Sequence, residues 1–224
     1  MINNNKIFVI IPAYNEAETV GDIVGELKQL NLDLEVIVVD DGSGDKTAEN
    51  AQKAGAKVLR HKINLGQWAA LRTGFAYSII NDAKLVVTLD ADGQHLPNDI
   101  YNLVSPIYKG KADVVIGSRF IGDKIPLMHT HRFYGIKLFN FFINIRTDFM
   151  VTDCTSGYKA YCGELIKNLF NNTSENQYGA LEALINYHRL GAKLNEVPIN
   201  FIISNKTSKG KLRYAYNLLR TIFS

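Results

Sequence analysis

LVVTLDADGQH, residues 85–95, runs five apolar or β-branched residues straight into two aspartates one residue apart. It reads as a buried strand ending on charge, and carboxylates withdrawn from water need a positive partner. Working outward, KIFVII (6–11) is a second continuous buried strand. EAETVGDIVGELKQL (16–30) is an amphipathic helix with Val20, Ile23, Val24, Leu27 and Leu30 on one face. EVIVVDDGSGD (35–45) is a strand running into acids and a glycine turn. A helix over 45–54, the short strand AKVLR, helices over 67–80 and from about Pro97 to Tyr108, and the strand DVVIGSR (113–119) complete the alternation. Val- and Ile-rich strands separated by helices predict an α/β fold, a mostly parallel sheet covered on both faces.

Ligands of such sheets sit beyond the carboxyl ends of the strands. Pro12–Glu16, Asp40–Asp41–Gly42–Ser43, Asp90–Asp92 and Ser118–Arg119 all fall at such ends. Their co-location points to one site.

Past residue 120 the alternation weakens. HRFYGIKLFNFFINI (131–145) is helix-like and apolar around most of its girth, and the core is the favoured place for 133–150. DCTSGYKAY (153–161) reads as a turn into a strand, about 178–190 as a helix and KLNEVPINFII (193–203) as a strand. The tail KLRYAYNLLRTIF carries Leu212, Ala215, Tyr216, Leu219, Ile222 and Phe223 on one helical face, with Arg213, Asn217 and Arg220 on the other.

At 224 residues, one large domain is expected, and 46% hydrophobic with 21% charged residues suffices for a core. A net charge of +3 is too small to suggest nucleic-acid binding. Residues 197–224, however, carry Lys206, Lys209, Lys211, Arg213 and Arg220 with no acid. Two cysteines, Cys154 and Cys162, form no CxxC and no disulfide framework, which predicts a reducing compartment. No stretch approaches the ~20 apolar residues of a membrane span.

Asp-x-Asp at a strand end suits a divalent cation, because magnesium prefers oxygen ligands and leaves positions for water and phosphate. Gln94 and His95 add ligand or orienting groups. A surface turn with solvated acids is an equal reading of the pair taken alone. An EF-hand is excluded: glycine stands fourth from Asp90, and Tyr101 is twelfth. No P-loop and no GxGxxG occurs. A metal holding a diphosphate remains. In DDGSGDKT, Ser43 or Asp45 can cap the next helix while a neighbouring acid accepts from a ribose or base.

PAYNE, VVDDGSGDKT, NLGQWAALRTGF, LDADGQH, VIGSRF, DCTSGYKAY and EVPINF follow one another in an order that resembles family 2 glycosyltransferases of the GT-A fold. The likeness spans about residues 6–212 and is greatest to dolichyl-phosphate mannose synthases and related polyprenyl-phosphate glycosyltransferases. It implies a Rossmann-like core with a nucleotide-sugar half (about 1–120) and an acceptor half (about 121–208). The segment 209–224 would be a basic amphipathic helix on the cytoplasmic face of a membrane.

The same resemblance implies roles. Pro12, Tyr14, Glu16 and Asp41, with Asp40 nearby, would hold the nucleoside. Asp90 would face the nucleotide-sugar, and Asp92 with Gln94 would bind Mg2+ or Mn2+. A lipid phosphate is already an anion, its second pKa being about 6, and needs cations more than a base. Arg119 and Arg132 fit that task, with His129 and His131 as lesser candidates. Ile136 stands where the mannose synthases carry a serine. Asn205 or Lys206 stands where they carry an arginine, so Lys206 or Lys209 would offer a point charge to the diphosphate. Asp153 occupies the position of a general base in members that glycosylate hydroxyls, and reads equally as a turn residue. The expected reaction is one in-line, inverting displacement from a GDP- or UDP-sugar to polyprenyl phosphate, the metal stabilising the leaving diphosphate. The alternatives are transfer to a glycan hydroxyl and sugar nucleotidyl transfer. The latter wants a glycine-rich, arginine-containing loop where PAYNE stands.

Overall fold

The computed structural model describes residues 6–122, 130–172 and 179–202. His129, Asn205, Lys206, Lys209 and the tail 209–224 lie outside them, and of His131 and Arg132 only the helical backbone is described. One seven-stranded sheet organises the described residues. Its strands are β1 (Ile7–Ala13), β2 (Leu34–Asp40), β3 (Lys57–Arg60), β4 (Leu85–Thr88), β5 (Val114–Ser118), β6 (Lys159–Cys162) and β7 (Leu194–Pro198). Their spatial order is β3-β2-β1-β4-β6-β5-β7. Only β6 runs against its neighbours, pairing antiparallel with both β4 and β5.

The apolar runs are continuous because both faces of the sheet are covered. Ile7, Val9 and Ile11 of β1 point into one core, with Val20, Ile23 and Leu27 of α1 (Val20–Gln29) and Ile100, Leu103 and Val104 of α4 (Ile100–Tyr108). Phe8 and Ile10 point into the other. There they meet Ala70 and Phe75 of α3 (Gln67–Ile80), Ile143 of α5 (Thr130–Arg146), Leu165 and Ile166 of α6 (Gly163–Asn172) and Leu184 of α7 (Gly179–Arg189). Helix α2 (Thr47–Lys53) packs beside α1. Each fully buried Val, Leu or Ile here contributes about 1.5–3 kcal/mol. Helix α3 approaches β1 closely because residue 74 is glycine: a Cβ there would come within 3.1 Å of Ile10 Cδ1.

Three elements differ from the sequence reading. Helix α6 was not expected, because it is short and opens on a glycine directly after β6. Helix α5 is not buried all round: Ile136, Asn140 and Ile143 face inward, whereas Tyr134, Leu138, Phe141 and Ile145 are exposed. The strand expected to 203 leaves the sheet at Pro198, which has no N–H to continue a ladder. The chain then runs on as a strap across the strand ends. Ile199 N donates to Ser118 O, Asn200 N to Asp99 Oδ2 (2.6 Å) and Ile202 N to Gln94 O (2.8 Å).

Candidate active site

Connections from β1 lead toward β2 on one side, while β4 lies on the other. The carboxyl ends of β1 and β4 therefore flank a topological switch point, where such sheets open a crevice. The loops after both strands meet there. Thr19 Oγ1 donates to Ala91 O at 2.6 Å and to Glu16 Oε2 at 3.2 Å, tying the PAYNE loop to the Asp-x-Asp loop. Tyr14 stands 49% exposed at the mouth, and Pro12 is buried in β1. Asn15 adopts φ 54° and accepts from Gly44 N, joining this loop to the one after β2.

Asp40 and Asp41 are buried and engaged. Asp40 Oδ1 accepts from Ser43 N (2.9 Å), and Oδ2 pairs with Arg60 Nε at 2.9 Å. Asp41 Oδ1 accepts from Leu65 N (2.9 Å) and lies 2.7 Å from His61 Nδ1, while Oδ2 accepts from Gly66 N (2.7 Å). The two acids thus order the segment 60–66 that leads into α3. A carboxylate offers about four acceptor directions, so Oδ2 of Asp41 keeps one. Neither Ser43 nor Asp45 is the N-cap of α2: that position is Lys46, which makes no side-chain cap, while Asp45 accepts from Thr47 N as a turn bond and Ser43 Oγ accepts from Asn15 N.

The opening aspartates have different surroundings. Asp90 Oδ1 accepts from Gln67 Nε2, at the start of α3, at 2.9 Å, and Oδ2 lies 3.7 Å from His95 Nε2. Burial works against its charge, but the His95 ring and the cations Arg119 and Lys159 hold its pKa below the ordinary value. Its carboxylate rests on Gly157, where a Cβ would come within 2.7 Å of Cγ. Asp92 is raised instead, by burial first and then by the negative charges of Asp90 and Glu16. Its Oδ1 accepts from Gln94 N at 3.0 Å, which folds the loop back on itself. Acids gathered at a strand end with one of them short of positive charge are a donor set that fits a divalent cation. Among the described residues no three His, Cys, Asp or Glu side chains converge as a closed metal site.

On the β5 side, Arg119 and Asp153 form a buried bidentate pair, with Nε to Oδ2 at 2.6 Å and Nη2 to Oδ1 at 2.7 Å. Arg119 N also donates to Oδ2 (3.1 Å), Arg119 Nη2 to Thr155 Oγ1 (2.8 Å) and Thr155 Oγ1 to Asp153 Oδ1 (3.2 Å). The side chains are 4% and 0% exposed. Burial opposes the charge on Arg119, yet the pairing with Asp153 outweighs it and raises the pKa. The ring of Phe201, on the strap, lies 5.3 Å from the guanidinium and 5.5 Å from the His95 ring.

Several of these residues carry no role in the sequence reading. Glu196 of β7 accepts from Thr152 N and Oγ1, both 2.8 Å, and from Asp153 N at 3.1 Å, bracing the loop that holds Asp153. Lys159 is buried in β6. Burial depresses its pKa, while Cys154, Asp153, Asp90 and Glu196 oppose that change. A lysine inside GYKAY and a glutamate inside LNEVP are charges within strands, the signal by which both stand out. Gln67 and Gly157 leave no comparable trace.

A family model described as "Glycosyl transferase family 2" matches residues 8–170. The chain is 32% identical over 218 residues to the UDP-N-acetylglucosamine–dolichyl-phosphate N-acetylglucosaminyltransferase of Methanococcus voltae, covering 88% of this chain and 85% of that one. It is 31% identical over 205 residues to the undecaprenyl-phosphate mannosyltransferase of Micrococcus luteus, covering 88% and 84%. In fold it resembles the glucosyl-3-phosphoglycerate synthase of Mycobacterium tuberculosis, solved with Mn2+, UDP-glucose and phosphoglyceric acid. The TM-score is 0.74 at 22% identity, over 98% of this chain and 80% of that one.

Proposed function

The chain belongs to glycosyl transferase family 2, and on that premise we propose that it transfers a sugar from a GDP- or UDP-sugar to a polyprenyl phosphate, with inversion, at the cytoplasmic face of a membrane. The observation that carries the acceptor class is the engagement of Asp153. A general base must reach the acceptor's proton. Asp153 is fully buried and accepts three hydrogen bonds from Arg119 and one from Thr155. An acceptor that is already ionised needs no such base, and a phosphate monoester fits that requirement. The names of the two relatives above, both acting on polyprenyl-type phosphates, support the same reading.

In this reading Pro12, Tyr14 and Glu16 line the nucleoside side, and Asp41 offers its remaining acceptor direction on Oδ2. Asp90, held by Gln67 and His95, faces the donor sugar. Asp92 and Gln94 hold Mg2+ or Mn2+, which when bound supplies charge to the departing diphosphate. Arg119 meets the acceptor anion with the edge of its guanidinium that Asp153 does not occupy, and Arg132 joins it from α5. Asp153 orients Arg119 rather than taking a proton.

The test is to incubate the protein with a labelled nucleotide-sugar panel, Mn2+ and either a short polyprenyl phosphate or the matching polyprenol. Label is expected in the phosphate lipid alone. Label in the polyprenol, or only in added glycan, overturns the acceptor assignment.

A further inference from the structure

The strap 199–202 ties together parts of the site that carry different jobs. Ile199 N donates to Ser118 O at 3.1 Å, and its side chain lies over residue 117, where glycine leaves the room: a Cβ there would come within 2.7 Å of Ile199 Cγ2. Asn200 grips the buried Asp99 twice, N to Oδ2 at 2.6 Å and Nδ2 to Oδ1 at 3.0 Å. Phe201 forms an antiparallel bridge with His95, and Ile202 N donates to Gln94 O at 2.8 Å. Four consecutive residues thus pin the end of β5, the start of α4 and the Asp-x-Asp loop to one another.

The ring of Phe201 is shared by the two sides of the site. It lies 5.3 Å from the Arg119 guanidinium and 5.5 Å from the His95 ring, edge to face at 62°. His95 depends on such contacts. It is 5% exposed, its Nδ1 has no hydrogen-bond partner among the described residues, and its Nε2 stands 3.7 Å from Asp90 Oδ2. A buried imidazole so loosely tethered by hydrogen bonds is placed by packing, here against the rings of Tyr158 (5.4 Å) and Phe201. Asp153 holds one edge of the Arg119 guanidinium, and Phe201 covers its face.

We propose that Phe201 is a positioning residue that couples the metal–diphosphate loop to the acceptor cation, so that filling one subsite tightens the other. The inference rests on the roles given above to Asp92, Gln94 and Arg119. A diphosphate settling against residues 90–95 confines the His95 ring. Phe201 passes that constraint to Arg119, which then meets the acceptor anion already oriented.

The test follows the Nε–H signal of Arg119 by NMR of the nitrogen-labelled full chain. That proton is buried and bonded to Asp153 at 2.6 Å, which slows its exchange with water, and Arg119→Gln identifies the signal by deleting it. Mg2+ is added with UDP or with GDP, no acceptor being present, and calorimetry records binding in parallel. The wild-type signal is expected to shift on binding. Phe201→Leu should bind the diphosphate yet shift less than a third as far, and Phe201→Tyr, which keeps the ring, should restore the shift. Thermal melts verify that each variant folds. In steady state Phe201→Leu should raise the acceptor KM and the Mn2+ activation constant by about fivefold each. Equal shifts in wild type and Phe201→Leu overturn the proposal, as does a rise in one constant without the other. Diphosphate binding that leaves the wild-type signal in place overturns this inference alone. A wild type that binds neither diphosphate overturns the metal–diphosphate reading and the inference with it.

Discussion

Replacing Asp153 by Asn separates two jobs that one carboxylate can do. Four donors point at Asp153: the N–H, Nε and Nη2 of Arg119 and the Thr155 hydroxyl. An amide keeps one oxygen. If the oxygen takes the Oδ1 position, the amide NH2 faces Arg119 N and Nε. If it takes the Oδ2 position, the NH2 faces Arg119 Nη2 and the Thr155 hydroxyl. Either way a guanidinium with a 4% exposed side chain loses its counter-charge. Breaking a buried pair by removing one partner costs about 3–5 kcal/mol. With a urea slope of about 2–3 kcal/mol per M, the unfolding midpoint should fall by roughly 1–2.5 M. The double variant Arg119→Gln/Asp153→Asn strands no charge, so its loss should be smaller than the sum of the single losses by about 1–3 kcal/mol. Turnover of the folded Asp153→Asn fraction should show a raised acceptor KM and a pH–rate profile of unchanged shape. A general base behaves otherwise in the kinetics, whatever the midpoint does: kcat would drop about 10²–10⁴-fold, and the ascending limb of the profile would vanish. That pattern would refute the clamp.

Gly157→Ala places a methyl against the Asp90 carboxylate, and the flexible side chain rather than the backbone gives way. Displacement of about 1 Å should lower kcat/KM by about 10²-fold with the melting temperature nearly unchanged; unaltered kinetics would separate Asp90 from the chemistry. Burial, with Asp90 and Glu16, raises the pKa of Asp92 above its unfolded value. The folded state therefore holds that proton more tightly, and stability is lost as pH rises through the raised pKa. Asp92→Asn should thus melt higher than the wild type at pH 7 without divalent ions, and flatten that fall. Mn2+ at 100 times its Kd should add about 2.7 kcal/mol to the wild type, roughly 5–10 °C, and nothing to the variant. Glu196→Gln removes the carboxylate that accepts from Thr152 and Asp153 and should cost about 1–3 kcal/mol. Acceptor KM should rise with donor KM unchanged; an equal rise in both would show that Glu196 does not act through Arg119.

The sequence by itself determined the strands and the edge at which chemistry gathers. KIFVII and LVVTL are apolar at successive positions because their sheet is covered on both sides. The acids follow such runs because the ends of a parallel sheet are where charged groups can meet solvent and ligand. Those are local patterns, written within a dozen residues. The reversal of β6, the bidentate Arg119–Asp153 pair across 34 residues and the brace from Glu196 across 43 were decided only by tertiary structure. No spacing along the chain encodes which distant groups become neighbours. Helix α5 shows the same boundary within one element. Its apolar content was plain, but which side would meet the core depended on Asn140 and Asn144 finding the unsatisfied backbone of residues 151–154. A buried polar backbone must be paired before anything else is optimised, and with that side of the helix taken, Tyr134 and Phe141 face outward.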